Sequence, residues 1–122
     1  MSQGRVRVKI CGLTNLNDAL HAWHCGADLL GFISVPSSPR YVSPPRLAEI
    51  TTALRQADCT ALLVSVVAGW TQEDIRALAS SCDLDLIQLH GGESPDFVAR
   101  LNLPTIIAHR VKQSIDWRAI RA

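Results

Sequence analysis

A regular alternation of strand-like and helix-like segments is the feature that most restricts the fold of this chain. Runs rich in β-branched and aliphatic residues begin near residues 5, 28, 60, 84 and 104. A segment with apolar residues at helical spacing lies in each gap. Several strand runs are apolar on both faces, as parallel strands covered on both sides are. The alternation therefore predicts an α/β fold, a parallel sheet with helical cover.

The helix starts carry recognisable capping residues. Asn15, Ser43, Thr71 and Ser94 each precede a helical pattern, and a proline directly follows two of them, Ser43 and Ser94. A further helical segment opens at residues 114–122. These positions predict four capped helices and the opening of a fifth.

The periodicity leaves two architectures open, a doubly wound sheet and a (β/α)8 barrel. A barrel takes about 250 residues, whereas this chain has 122. As a barrel, the chain would supply about five of its eight βα units. In both architectures the functional groups gather at the carboxyl ends of the strands.

Composition excludes several classes of protein. Hydrophobic residues make up 48% and charged residues 19%, with a formal net charge of +1. This balance gives no general attraction to nucleic acid or to an anionic membrane. No apolar run has the length of a membrane span, and no signal core is visible, so we expect a cytoplasmic protein. The four cysteines contain no C-x-x-C pair, and we expect no disulfide framework.

Cys11 is the first candidate for chemistry, because it closes the first strand run in "VKICGLTN". Strand alternation puts Cys11 on one face with Lys9. A cysteine is often a small buried apolar residue. A thiol above a lysine at the rim of a parallel sheet is also placed to lose its proton. The remaining cysteines lack such a setting and are predicted to be structural: Cys25, Cys59 and Cys82.

Arg40 and His90 are the other candidates at strand ends. Arg40 lies in the stiff polar loop "PSSPRYVSPP", where it is either an ordinary surface residue or a two-pronged grip for a carboxylate or phosphate. His90 ends the fourth strand run, on the face predicted for Gln88, and a pair of glycines follows it. The histidine either caps a backbone group or lies beside a ligand. The glycines are either ordinary turn residues or allow a ligand to approach the backbone closely.

A helical H-x-x-H-C pattern, formed by His21, His24 and Cys25, raises the question of a metal site. Structural zinc normally takes four ligands, and no supporting partner is visible. His21 also lies off the apolar stripe of its helix and is expected to face solvent. We therefore predict no metal site here.

The segments "VKICGLTN", "GADLLGFI", "SPRYVSP" and "LIQLHGGE" together resemble the phosphoribosylanthranilate isomerase family. They occur in that family's order and spacing over nearly the whole chain. The resemblance implies a (β/α)8 barrel and an Amadori rearrangement of N-(5-phosphoribosyl)anthranilate to 1-(2-carboxyphenylamino)-1-deoxyribulose 5-phosphate in tryptophan biosynthesis. It implies no cofactor and no metal. The substrate is a small molecule, and no nucleic acid or membrane partner is expected.

By this resemblance Cys11 is the general base that removes the proton from C2 of the sugar. Arg40 matches the arginine that holds the anthranilate carboxylate, and His90 has a positioning role in substrate binding. Lys9 and Gln88 are supporting residues on the same side. One departure follows strand three, where the family usually has an asparagine and this chain has residues 68–70, "AGW".

The resemblance also predicts which parts of the family's site are not in these residues. Residues 1–122 correspond to the amino-terminal portion of a single barrel domain, with strands six to eight and the general acid beyond Ala122. Asp116, on the helix after strand five, is not a replacement for that acid. We therefore expect an isomerase fragment that self-associates and is inactive alone. The alternative is a non-catalytic half-barrel that associates through its open strand edges.

Overall fold

The computed structural model describes residues 4–111, 113–114 and 117–118. Strands and helices alternate throughout these residues, as the sequence predicts. The elements are β1 (Lys9–Ile10), α1 (Leu16–His24), β2 (Leu29–Ile33), α2 (Pro44–Gln56), β3 (Leu62–Val67), α3 (Gln72–Ser81), β4 (Leu86–Leu89), α4 (Pro95–Leu101) and β5 (Thr105–Ile107).

The strands form one parallel sheet in the order β1-β2-β3-β4-β5. A doubly wound sheet reverses its strand order at a switch point, and the described strands contain no such reversal. The sheet is also curved. The Lys9 ammonium donates a hydrogen bond to the Gln88 side-chain oxygen and so reaches from β1 across β2 and β3 to β4. A curved sheet in sequential order is the wall of a barrel, and the doubly wound alternative is excluded.

All four predicted caps are confirmed. The side chains of Asn15, Ser43, Thr71 and Ser94 each accept a backbone N–H from the residue three positions on, at 2.8 to 3.4 Å. Each cap satisfies an N–H group that has no partner within the helix, which contributes about 1 kcal/mol. The caps fix where each helix begins, and so they fix the length of the loops at the carboxyl ends of the strands.

The hydrophobic core lies between the convex face of the sheet and the helices. Leu30 and Phe32 of β2 point outward into it, and Leu47 and Leu54 of α2 are buried in the same core. The buried residues of α2 recur at helical spacing, as expected for a helix that covers a sheet on one side. The residues that alternate with these along each strand, such as Gly31 in β2, face the concave side.

Two aspartates hold the amino ends of neighbouring strands together. Asp28, just before β2, accepts the backbone N–H of Val8 at 2.8 Å and pairs with Arg5. Asp85, just before β4, accepts the N–H of Leu63 at 2.7 Å. The hydrogen bond from the Val8 backbone, followed by that from Arg5, lowers the pKa of Asp28 below its ordinary value of 3.8.

The first strand is shorter than predicted. The sequence predicts a strand from residue 5, but β1 comprises only Lys9–Ile10, which pair with Leu29 and Leu30. Strand structure needs a hydrogen-bonding neighbour, and β2 begins only at Leu29. Val6 is 80% exposed.

The predicted fifth helix spans residues 114–122, most of which lie outside the described residues. Asp116, which the sequence places on that helix, also lies outside them. Within the residues that are described, no helix combines the length and apolar character that a bilayer crossing requires.

Candidate active site

Cys11 lies at the carboxyl end of β1 and faces the concave side together with Lys9. The position of Gly31 on the neighbouring strand shows this. A Cβ atom built on Gly31 would lie 2.9 Å from Lys9 Cε and 3.1 Å from Cys11 Sγ. Both side chains therefore pack against the bare backbone of β2, and the predicted shared face is confirmed. Cys11 is exposed at this rim.

Lys9 is held from the far side of the concave face. Its ammonium donates to Gln88 Oε1, and both side chains are partly buried. Gln88 pairs in register with Val66 of β3, whereas the alternate residues Ile87 and Leu89 are buried in the core. Gln88 thus has the inward orientation that the sequence predicted. On β5 the residue paired with Gln88 is Ile106, so an apolar side chain flanks the amide.

The loop after β2 folds back along the end of that strand. The N–H of Val42 donates to the carbonyl oxygen of Ile33 at 2.9 Å, and Tyr41 forms an isolated bridge with Ile33. The N–H of Arg40 donates to Ser38 Oγ at 3.1 Å. These bonds fix the backbone on both sides of the arginine.

Arg40 lies directly over the residue that follows Cys11. A Cβ atom on Gly12 would be only 2.7 Å from Arg40 Cδ and 3.2 Å from Nη1. Gly12 also has φ +83°, a conformation that L side chains rarely adopt. The positive φ favours glycine here, and the Arg40 side chain packs over the residue that follows the thiol. The structure places Cys11 and Arg40 at one rim.

His90 lies at the carboxyl end of β4 and is exposed. Its backbone N–H donates to the carbonyl oxygen of Val67 at 3.0 Å, which continues the pairing of β3 and β4 by one residue. The three candidates therefore follow β1, β2 and β4 and share the carboxyl edge of the sheet.

Glu93 belongs to the same edge, and the sequence reasoning did not select it. Its carboxylate accepts the N–H of Gly91 at 2.9 Å and that of Gly69 at 3.3 Å. The available signal was a single acidic residue directly after two glycines at a strand end.

The other cysteines are separate from this edge. Cys59 and Cys82 are buried, as predicted for structural residues, and burial raises the pKa of both thiols above 9.0. Cys25 is instead exposed, at the carboxyl end of α1.

The helical H-x-x-H-C pattern brings one histidine close to Cys25. Cys25 Sγ lies 3.6 Å from His21 Nε2, and His21 is exposed, as predicted. In the part of the chain that the structure describes, no three His, Cys, Asp or Glu side chains are grouped to hold a metal ion.

A groove of about 520 Å³ runs along α3 and the loop before it, beside Pro44 at the start of α2. Trp70, Asp74 and Leu78 contribute to its lining, but Cys11, Arg40 and His90 do not. Convergent polar groups, rather than groove size, indicate where chemistry occurs. The candidate active site is therefore the carboxyl edge of the sheet.

The family model and the similar proteins that match this chain all point to one family. The family model for N-(5'-phosphoribosyl)anthranilate (PRA) isomerase matches residues 8–122. A relative of that name from Nitrosomonas eutropha is 41% identical over 113 residues, covering 92% of this chain and 52% of the relative. Another from Thermosynechococcus vestitus is 42% identical over 123 residues, covering 97% and 52%. The chain thus spans about half the length of the curated relatives it matches.

Solved structures agree in fold. A crystal structure of phosphoribosyl anthranilate isomerase in complex with reduced 1-(o-carboxyphenylamino)-1-deoxyribulose 5-phosphate superposes with a TM-score of 0.84 at 35% identity, covering 96% of this chain and 58% of that one. The enzyme from Thermotoga maritima gives 0.79 at 37% identity, covering 84% and 50%. The curved sheet is therefore part of a (β/α)8 barrel, and the chain belongs to the phosphoribosylanthranilate isomerase family.

Proposed function

We propose that the protein carrying this chain is a phosphoribosylanthranilate isomerase of tryptophan biosynthesis. It would convert N-(5-phosphoribosyl)anthranilate to 1-(2-carboxyphenylamino)-1-deoxyribulose 5-phosphate. Family membership supports the reaction class. One structural observation supports the proposal for these residues. Cys11 and Arg40 lie at the same rim, where Arg40 packs over Gly12, the residue next to the thiol.

Cys11 is proposed as the general base. Once the furanose ring has opened to an iminium ion, the thiolate takes the proton from C2 of the sugar. The electron pair of that C–H bond forms the C1–C2 double bond, and the iminium electrons return to nitrogen, which gives an enolamine. The enol O–H then loses its proton as C1 gains one, and the ketone results.

Lys9 and Gln88 are proposed to support the base. Lys9 shares the concave face with Cys11 and places a positive charge on the side from which the proton is removed. The hydrogen bond to Gln88 holds the lysine side chain across the face rather than free at the rim. The pair therefore fixes the position of the charge.

Arg40 is proposed to bind the anthranilate carboxylate. A guanidinium presents parallel N–H donors that match the two oxygens of a carboxylate. Its position over Gly12 would hold the aromatic part of the substrate next to the base. His90, at the same edge, is proposed to help position the substrate.

The ring-opening acid is assigned to none of the described residues. Glu93 is a carboxylate at this edge, but each of its oxygens already accepts a backbone N–H. Both oxygens are therefore engaged by the protein backbone and not directed at a substrate.

The test uses the whole protein that carries these residues. Its conversion of N-(5-phosphoribosyl)anthranilate is measured by product formation, and its binding of reduced 1-(o-carboxyphenylamino)-1-deoxyribulose 5-phosphate is measured by calorimetry. We expect both turnover and binding, with the same values in a Cys25→Ala control, since Cys25 caps the carboxyl end of α1, away from the site. Binding without turnover would overturn the proposed catalysis, and the absence of both would overturn the substrate assignment as well.

A further inference from the structure

We infer that Glu93 is a positioning residue, whose carboxylate ties the loop after β3 to the turn after β4 and thereby holds His90 at the edge of the site. Its expected effect on substrate use rests on the function proposed above. The tie itself is a property of the described contacts and can be tested without turnover.

The carboxylate lies where regular sheet pairing ends. The last pairing bond between these strands runs from the N–H of His90 to the carbonyl oxygen of Val67, at 3.0 Å. The next N–H on one side, that of Gly91, donates to Glu93 Oε1 at 2.9 Å. On the other side, the N–H of Gly69 donates to Glu93 Oε2 at 3.3 Å. Glu93 thus extends the connection between the two strands beyond their ends.

The contact between the loops supports the same inference independently. A Cβ atom on Gly91 would lie 2.9 Å from the backbone nitrogen of Gly69 and 3.2 Å from Ala68 Cα. Backbone therefore packs against backbone, and a side chain at position 91 would force the loops apart. The same Cβ would lie 3.0 Å from Glu93 Oε2.

A carboxylate suits this position better than an amide. It offers two acceptor oxygens to two N–H donors, and hydrogen bonds to a charged acceptor are the stronger kind. A glutamine has one acceptor oxygen, and its NH₂ group would face an N–H donor. The two donors also offset the negative charge of Glu93, which would otherwise repel an anionic substrate at this edge.

The experiment compares Glu93→Ala and Glu93→Gln in the whole protein, with Asp96→Asn as the matched control. Asp96 is an exposed acid in the first turn of α4, so its replacement removes a charge near the same turn without touching the tie. Amide hydrogen exchange of Gly69, His90 and Gly91 is measured by NMR, and kcat and KM are measured with N-(5-phosphoribosyl)anthranilate. If the alanine variant does not fold, the same measurements are made on Glu93→Gln alone, because glutamine keeps the shape of the side chain.

In Glu93→Ala we expect exchange of Gly69 and Gly91 to accelerate by about tenfold or more, because charge-assisted bonds are lost. His90 exchange should also accelerate, KM should rise by roughly threefold or more, and kcat should stay within about twofold. Glu93→Gln should be intermediate and Asp96→Asn should match the wild type.

Each other outcome decides against part of the inference. Unchanged exchange would overturn the tie, and faster exchange at the glycines with His90 exchange and KM unchanged would overturn the positioning role. Equal effects in Asp96→Asn would show that charge alone is responsible. A wild-type protein without turnover would refute the proposed function, while the exchange measurements would still decide whether Glu93 holds His90.

Discussion

The ammonium of Lys9 donates a hydrogen bond to the side-chain oxygen of Gln88 across the concave face of the sheet. These residues lie on β1 and β4, which are separated by two strands. Only a curved sheet brings them into contact, and the contact gives the lysine a fixed place beside Cys11 on the concave face.

Removing either partner of this bond should destabilise the protein. For Gln88→Ala and for Lys9→Met we expect a loss of about 1.5–3 kcal/mol in the free energy of unfolding, the range for a bond to a charged group. The double variant should lose less than the sum, because the two residues interact. Denaturant unfolding of all four proteins checks this, and strictly additive losses would contradict a direct bond.

Replacing Cys11 should stop turnover more than binding. General-base catalysis typically contributes about 10²–10⁴-fold, so Cys11→Ala should reduce kcat by that order. Binding of the reduced product analogue should stay within about tenfold of the wild type, because a base acts mainly in the transition state. Steady-state kinetics and calorimetry measure these quantities. Near-normal turnover in Cys11→Ala would exclude this thiol as the base.

Arg40 should contribute to substrate binding through its geometry as well as its charge. A two-pronged bond to a carboxylate is worth about 1.5–3 kcal/mol, so Arg40→Ala should raise KM by about tenfold or more. Arg40→Lys should recover only part of the loss, because an ammonium lacks the planar fork. Full recovery with lysine, in the same kinetic assay, would show that the charge alone matters.

The cysteines should differ in their reaction with iodoacetamide at pH 8. Burial raises the pKa of the Cys59 and Cys82 thiols above 9.0, so these groups are protonated at this pH as well as inaccessible. Cys11 and Cys25 are exposed and should be labelled first.

Mass spectrometry of peptides from the folded protein identifies the labelled sites. As the pH rises toward the raised pKa values, the thiolate fraction of Cys59 and Cys82 grows, yet burial should still keep their labelling slow. Labelling of all four in parallel at pH 8 would contradict the burial pattern.

A polypeptide of these 122 residues, produced by itself, should self-associate. β1 and β5 are the outer strands of the described sheet. Apolar side chains are exposed near them, with Val6 at 80%, Val8 at 47% and Ile107 at 39%. Unpaired apolar strand edges pair with other chains. Light scattering should therefore report species above the monomer mass, whereas a compact monomer that unfolds cooperatively would refute this expectation.

Much of the fold could be predicted from local sequence. The caps at Asn15, Ser43, Thr71 and Ser94 were predictable because an N-cap depends on one side chain and a backbone N–H three residues away. The faces of the strands were also predictable, since side chains alternate strictly along a strand. Both are short-range effects, and the shared face of Cys11 and Lys9 follows from the second.

The tertiary structure decided what depends on contacts between distant segments. Alternation of strands and helices fits a flat doubly wound sheet or a barrel equally well, and only the sequential strand order with the Lys9–Gln88 contact selects the curved wall. The late start of β1 has the same origin, because a strand can begin only where its neighbour does.

The site shows the same division. The motifs in the sequence indicated Cys11, Arg40 and His90 separately, whereas the packing of Arg40 over Gly12 and of Cys11 against Gly31 was visible only in three dimensions. Glu93 was missed because its partners are backbone N–H groups, which every residue except proline carries and no sequence pattern marks. The sequence by itself determined the elements and their faces, since these follow from neighbouring residues. The curvature of the sheet and the tie between its loops were decided by packing between segments far apart in the chain.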